Sequence, residues 1–167
     1  MINNIGFTLP IVIKHIYYPL TENTSKLSQK IKVKEGFENS VSHVLGESLE
    51  AGLIESSKPY WVKIKNQNSI AYPDKTKPLI DFIDNPSFAK NLLMSVGLVE
   101  TEEQAKNLQN DLLPGQALTT EGGGLWRWDG FIIPPGSSSP SSEILKQTNR
   151  MRSVSYTHLT LPTSTHG

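Results

Sequence analysis

Three groups of residues in this sequence have types and spacings that could do chemistry. Gly122, Gly123 and Gly124 are consecutive, so their backbone amides could face an anion as a phosphate loop does. No helix start with a basic anchor follows them, and glycine also serves simply to turn a hairpin, which is the preferred reading. Trp126 and Trp128 stand two apart, the spacing that places side chains on one face of a strand. There they could stack on bases, fill a partner's pocket or pack in the core. Burial is the preferred use, with an interface role left to whichever ring stays partly exposed, and Arg127 points the other way. Lys30, Lys32 and Lys34 form one lysine row, and Lys63 and Lys65 form a second. If the strands carrying them were neighbours, the rows would merge into a patch that binds nucleic-acid phosphates without regard to sequence. A solvated sheet face is the equal alternative.

Nothing reaches a catalytic constellation. His43 falls within a helix and His15 within the N-terminal stretch, with no serine or carboxylate spaced to form a nucleophile and base set. His158 and His166 lie in the C-terminal tail. The absence of cysteine removes disulfides, thiolate metal sites and thiol nucleophiles together, fits a reducing cytoplasm, and leaves four scattered histidines that do not make a metal site. No G-x-x-x-x-G-K-[ST] nucleotide loop occurs. Lys plus Arg and Asp plus Glu both total 16, so no whole-molecule field attracts nucleic acid or an anionic membrane, and any such binding is local. The opening MINNIGFTLPIVIKHIYYPL is apolar, but Pro10, Lys14, His15 and Pro19 interrupt it below the roughly 20 apolar residues a spanning helix needs. It also lacks the basic start and small-residue cleavage site of a signal peptide, and the chain reads as soluble.

The elements that must position these residues follow from periodicity. K-I-K-V-K (Lys30 to Lys34) alternates with period two, predicting a strand with Ile31 and Val33 inward. Phe37, Val41, Val44 and Leu45 recur at helical spacing, with Gly46 as the stop. Y-W-V-K-I-K (Tyr60 to Lys65) alternates again and predicts a second strand, followed by a polar loop over Asn66 to Pro78. Asn85-Pro86 opens a helix with Phe88, Leu92, Leu93 and Val96 as its buried stripe, closed by Gly97 as a left-handed cap, with a short strand at Leu98-Val99. Thr101 and Gln104 have capping-box spacing, and Ala105, Leu108 and Leu112 face inward until Pro114 and Gly115. A-L-T-T-E-G-G-G-L-W-R-W-D-G-F-I-I predicts a three-stranded meander turned at Gly122 to Gly124 and at Asp129-Gly130. Pro134 to Ser142 is a linker, after which Ser142 caps a polar helix.

At the meander, L-L-P-G-Q-A-L-T-T-E-G-G-G-L-W-R-W-D-G-F (Leu112 to Phe131) resembles the closing segment of the hinge domain in bacterial structural-maintenance-of-chromosomes (SMC) proteins. K-V-K-E-G-F-E-N-S-V-S-H-V-L-G-E-S-L-E-A (Lys32 to Ala51) is similar to the family's opening segment, and F-A-K-N-L-L-M-S-V-G-L-V-E (Phe88 to Glu100) to its central helix and strand. The resemblance implies an α+β (mixed α/β) domain with short strands, about three core helices and a C-terminal β-meander. It implies pairing with another hinge as a homodimer, a place at the apex of two antiparallel coiled-coil arms, and contact with DNA in chromosome condensation and segregation. In the family, glycines near the end of the domain lie close to the dimer contact, which nominates Gly122 to Gly124 together with Trp126 and Trp128 as interface residues. No cofactor is implied for the hinge itself; ATP and Mg, and kleisin-type subunits, belong to the family's head regions, which this sequence does not contain. A cytoplasmic, nucleoid-associated location is implied, with no membrane partner. The first twenty residues lack the a/d heptads expected of an incoming arm.

The tail V-S-Y-T-H-L-T-L-P-T (Val154 to Thr163) resembles one reading frame of the transposon-end adaptor used in sequencing libraries, which implies a fragment and a disordered end. A real extended tail is the alternative. The expected organisation is an N-terminal segment over 1–24, a hinge-like domain over 25–136, a linker and arm root over 137–153, and a non-native tail over 154–167. The function expected is an interaction module without turnover. The competing class is a small nucleotide-binding or hydrolytic enzyme, against which the missing nucleophile set and phosphate-binding lysine both argue.

Overall fold

The computed structural model describes residues 25–65, 68 and 70–166, with side chains described through Val154. The N-terminal stretch over 1–24 and its His15 lie outside the described residues. The chain opens with α1 (Leu27–Lys30) and β1 (Lys32–Val33), then α2 (Glu38–Leu45), which ends at Gly46 and continues into a single 3₁₀ turn through Glu50. The alternation at 30–34 is realised in burial although the strand is only two residues long: Ile31 and Val33 are buried, and Lys30, Lys32 and Lys34 are exposed. Phe37, Val41 and Leu45 bury the inner face of α2, as the helical spacing requires.

Next come β2 (Lys77–Pro78), a 3₁₀ turn at Leu79–Phe82, and β3 (Ile83–Asp84), none of them signalled by periodicity. The strand predicted at Tyr60 to Lys65 does not form. Tyr60 makes one isolated bridge to Gly52 and the chain then runs irregularly, with Val62 and Ile64 exposed. Trp61 takes the interior position alone, its Nε1 donating to Ser48 O at 2.7 Å. Once that ring is committed to the side of the 3₁₀ turn, no strand among the described residues lies alongside to accept the following backbone groups.

The helix expected from Asn85-Pro86 is divided into a 3₁₀ turn at Ser87–Ala89 and α3 (Lys90–Met94). Asn85 does not cap it; at φ 52° its Nδ2 donates instead to Lys30 O at 3.1 Å. The inward stripe is correspondingly narrower: Ala89 and Leu93 are buried, Phe88 is half-buried and Leu92 is exposed. Gly97 is not a helix cap but the centre of β4 (Val96–Leu98), where a Cβ would run into the Thr76 side chain. Glycine is needed there for close approach rather than for a left-handed turn.

From Thr101 onward the predicted elements form. Thr101 Oγ1 accepts from Gln104 N at 3.1 Å and opens α4 (Glu102–Gln109), while Gln104 Oε1 accepts from Glu100 N at 3.1 Å. The meander is β5 (Ala117–Thr119), β6 (Leu125–Arg127) and β7 (Ile132–Ile133). The main sheet has the order β2-β4-β5-β6-β7; β4 and β5 are parallel, joined across by α4, and the other neighbours are antiparallel. A separate two-stranded sheet pairs β1 with β3, Lys32 opposite Asp84 and Val33 opposite Ile83.

One apolar cluster lies under α1, α2 and the β1–β3 pair, with Leu27, Ile31, Val41, Leu49, Leu79 and Leu93 fully buried. A smaller one, Val99, Ala105, Leu118 and Trp126, with Leu108 and Leu112 against it, holds α4 on the meander. The last element, α5 (Pro140–His166), docks on α2 through buried Leu145. Its cap is Ser139 rather than Ser142: Ser142 N donates to Ser139 Oγ and Ser139 N to Ser142 Oγ, each at 3.1 Å, so Ser142 is the buried third residue of a reciprocal box and Pro140 the first helical position. The helix runs on to His166, through the stretch expected to be disordered.

Candidate self-association edge

The triglycine is a tightly tied turn. Gly123 N donates to Thr120 O at 3.0 Å and Gly124 N to Thr120 Oγ1 at 3.1 Å. Gly124 O accepts from Thr119 Oγ1 at 2.7 Å, Gly122 O accepts from Gly136 N at 3.0 Å, and Gly123 O meets His43 Nδ1 at 2.6 Å. With two of the three amides spent inside the turn, the phosphate-loop geometry does not exist here; hairpin-turn chemistry accounts for the motif. The close packing explains the composition: Gly123 has φ 89° and a Cβ there would meet Asn39, while a Cβ on Gly124 would meet the Trp126 ring. Gly122 is exposed, whereas Gly123 and Gly124 are buried within their own domain.

The two tryptophans separate. Trp126, on β6, is 0% exposed and fills the smaller core; Trp128 lies just past the strand end and is 48% exposed. The expectation that one ring is buried, leaving any interface role to the other, therefore points to Trp128. It has neighbours that residue spacing does not single out: Phe131 is 48% and Ile132 44% exposed, on the same hairpin. The signal for them is the F-I-I run immediately after the Asp129-Gly130 turn, too many apolar residues for a two-residue strand to bury on one face.

The hairpin tip carries an ion pair and a cation–ring contact. Arg127 donates from Nε and Nη2 to the two carboxylate oxygens of Asp129, at 3.0 and 2.6 Å, and its guanidinium lies 4.6 Å from the centroid of Phe131. This hydrogen bonding raises the Arg127 pKa and holds the Asp129 carboxyl below its ordinary range.

The sheet's two edges differ in chemistry. At β2, Pro78 offers no N–H and Lys77 faces solvent, both devices that discourage strand addition. At β7, Ile132 is exposed, Ile133 is half-buried against the main core, and no further strand lies alongside among the described residues.

The five lysines are all exposed, but they are not brought together as two neighbouring strands. Lys63 and Lys65 sit on the irregular segment. The strand that carries Lys32 pairs with β3 instead, which sets Asp84 across from it, and Lys34 Nζ lies 5.4 Å from the Phe82 centroid. No cluster of three or more metal-ligating side chains is present among the described residues, and no helix among them is long and apolar enough to cross a membrane.

The order of elements and the paired sheets define the class of fold: the chain has the fold of an SMC hinge domain. It superposes on the Pyrococcus furiosus Smc hinge domain with an extended coiled coil with a TM-score of 0.53 at 15% identity, covering 77% of this chain and 56% of that one. On the Geobacillus stearothermophilus SMC hinge domain, solved as an asymmetric dimer, the TM-score is 0.55 at 11% identity, covering 78% and 66%. In sequence the chain is 32% identical over 130 residues to the chromosome partition protein Smc of Cereibacter sphaeroides, an alignment that takes in 76% of this chain and 11% of that protein. The chain thus spans about a tenth of the length of the curated relatives it matches. No family model matches it. The resemblance read from Lys32 to Phe131 holds in both sequence and fold.

Proposed function

We propose that this chain is the hinge module of an SMC-type chromosome partition protein, and that it works by joining a second copy of itself rather than by turning over a substrate. The observation that carries the reading is the open β7 edge, with Trp128, Phe131 and Ile132 exposed beside it. An edge strand presents unpaired backbone groups, and three large apolar side chains next to it favour an occupant that is itself an edge with matching apolar groups. The hinge fold, and the dimer in which one similar hinge was solved, support a like copy as that occupant.

Condensation and segregation of chromosomes are, on this reading, the work of the longer protein. Its ATP, Mg and kleisin contacts belong to parts of that protein other than the hinge, and a cytoplasmic, nucleoid-associated location follows from the same role. Contact with DNA is a secondary activity carried by the exposed row Lys30, Lys32 and Lys34; it is weak, because Lys63 and Lys65 do not extend the row and Asp84 faces Lys32. The rival enzyme reading has less to support it among the described residues, where His43 is engaged with Gly123 O.

Light scattering across a concentration series tests the proposal. The expected mass moves from the 18.5 kDa of one chain toward twice that value in the micromolar range. A single-chain mass held to several hundred micromolar overturns it.

A further inference from the structure

Helix α5 is held to the domain by more than its apolar contact. Asn149 Nδ2 donates to Val33 O at 3.0 Å and to Glu38 Oε1 at 2.9 Å. Arg152 donates from Nη1 to Ile31 O at 3.2 Å and from Nη2 to Gln29 O at 2.9 Å. These acceptors have a common origin. Strand β1 spends alternate backbone groups on β3, Lys34 N reaching Phe82 O at 2.9 Å, so Ile31 O and Val33 O face away from that sheet. Gln29 O belongs to the last turn of α1, one of the carbonyls a helix leaves without an internal partner. Two side chains of α5 therefore close an edge that no strand covers among the described residues.

Glu38 is the third part. It is 5% exposed, and its Oε2 accepts from Gly36 N at 2.8 Å while Oε1 takes the Asn149 amide. One buried carboxylate thus ties the loop before α2 to α5. Leu145, Asn149 and Arg152 follow one another at i, i+4 and i+7, a single helical face, whereas Ile144, Met151 and Val154 on other faces remain exposed.

We infer that Glu38, Asn149 and Arg152 form a latch that fixes the direction in which α5 leaves the domain. Buried Leu145 alone sets a point of contact and leaves the helix free to pivot about it; bonds one and two turns further along remove that freedom. The latch converts a displacement of the helix into strain on β1, and through Lys32 and Val33 into strain on β3. It stands on its own geometry, whether or not the domain pairs with a second copy.

The sequence contains no cysteine, so the full chain carrying Glu103→Cys on α4 and Val154→Cys on α5 takes spin labels at those two positions only. Both parent residues are exposed. Pulsed dipolar spectroscopy on this pair, with the labelled chain diluted in excess unlabelled chain so that only distances within one chain are read, is expected to give one narrow distance distribution, and the added Asn149→Ala/Arg152→Ala change to widen it at least twofold. Arg152→Lys, which keeps a donor but loses the fork, is expected to fall between them. Superimposable distributions for parent and double variant overturn the latch. Where the double variant loses its cooperative melt, Arg152→Ala decides on the same criterion, because that side chain is only half-buried and its loss leaves the core intact.

Discussion

Two segments of this molecule have the same lysine-and-apolar alternation and opposite fates. K-I-K-V-K at 30–34 becomes a strand with its apolar side chains buried, and W-V-K-I-K at 61–65 becomes irregular chain, exposed from Val62 onward. Local sequence does not separate them; partners do. Strand β1 finds β3 on one side, and the carbonyls of Ile31 and Val33 find α5 side chains on the other, while both apolar side chains are buried. Among the described residues the second segment is anchored at its start, by Trp61 N to Gly52 O at 2.8 Å and by the indole on Ser48 O. Period two states which residues share a face; a strand needs an edge to lie against.

The contrast can be broken most sharply in stability. Ile31→Ala removes a fully buried side chain and is expected to cost about 2–5 kcal/mol, whereas Ile64→Ala is expected to stay within about 0.5 kcal/mol, as read by urea unfolding. Equal losses at the two positions would mean that the second segment is structured after all. Trp61→Phe, which keeps the ring but removes the donor to Ser48 O, is expected to cost about 1 kcal/mol and to increase proteolysis between Gly52 and Lys65 without unfolding the rest.

The lysines refine the same comparison. Reversing Lys30, Lys32 and Lys34 to glutamate is expected to lower duplex binding at low salt and to flatten its salt dependence by about 0.9 in log–log slope for each DNA phosphate that is no longer neutralised. Reversing Lys63 and Lys65 is expected to do less, because they lie on a separate irregular segment that does not extend the first row; an equal effect would argue for a shared surface. The smallest effect concerns Asp129. Its carboxyl titrates lower in the folded chain than in the unfolded one, mainly through the Arg127 hydrogen bond. The associated stability is therefore complete above the ordinary aspartate range and is lost as pH falls through the depressed folded value. Asp129→Asn is expected to remove that acid limb by slightly lowering neutral-pH stability while leaving acid-pH stability nearly unchanged, as read by thermal melts from neutral to acid pH.

Legibility follows the same division. The stretch from Thr101 to Ile133 can be read element by element, because its capping box and its glycine turns are local decisions. Strands β2 and β3 cannot, since two residues carry no periodicity and Lys77-Pro78 reads as loop until β4 supplies its partner. Gly97 reads as a cap for a related reason: its actual requirement is set by Thr76, which lies far enough back in the chain to be invisible to spacing. At the candidate interface, the alternation identifies Trp126 and Trp128 but not which of them is buried. That depends on β6 ending at Arg127, and the F-I-I run hints at surplus apolar residues without saying that Phe131 and Ile132 are the exposed ones.

The claim on which the functional account rests is that β7, and not β2, is the edge that receives another copy. Sedimentation equilibrium on Ile132→Asp and Lys77→Asp, beside the parent chain, compares the two directly. The account predicts that Ile132→Asp weakens self-association at least tenfold with its melting temperature preserved, while Lys77→Asp leaves it within a factor of two. Undiminished association in Ile132→Asp, or a loss confined to Lys77→Asp, would contradict it.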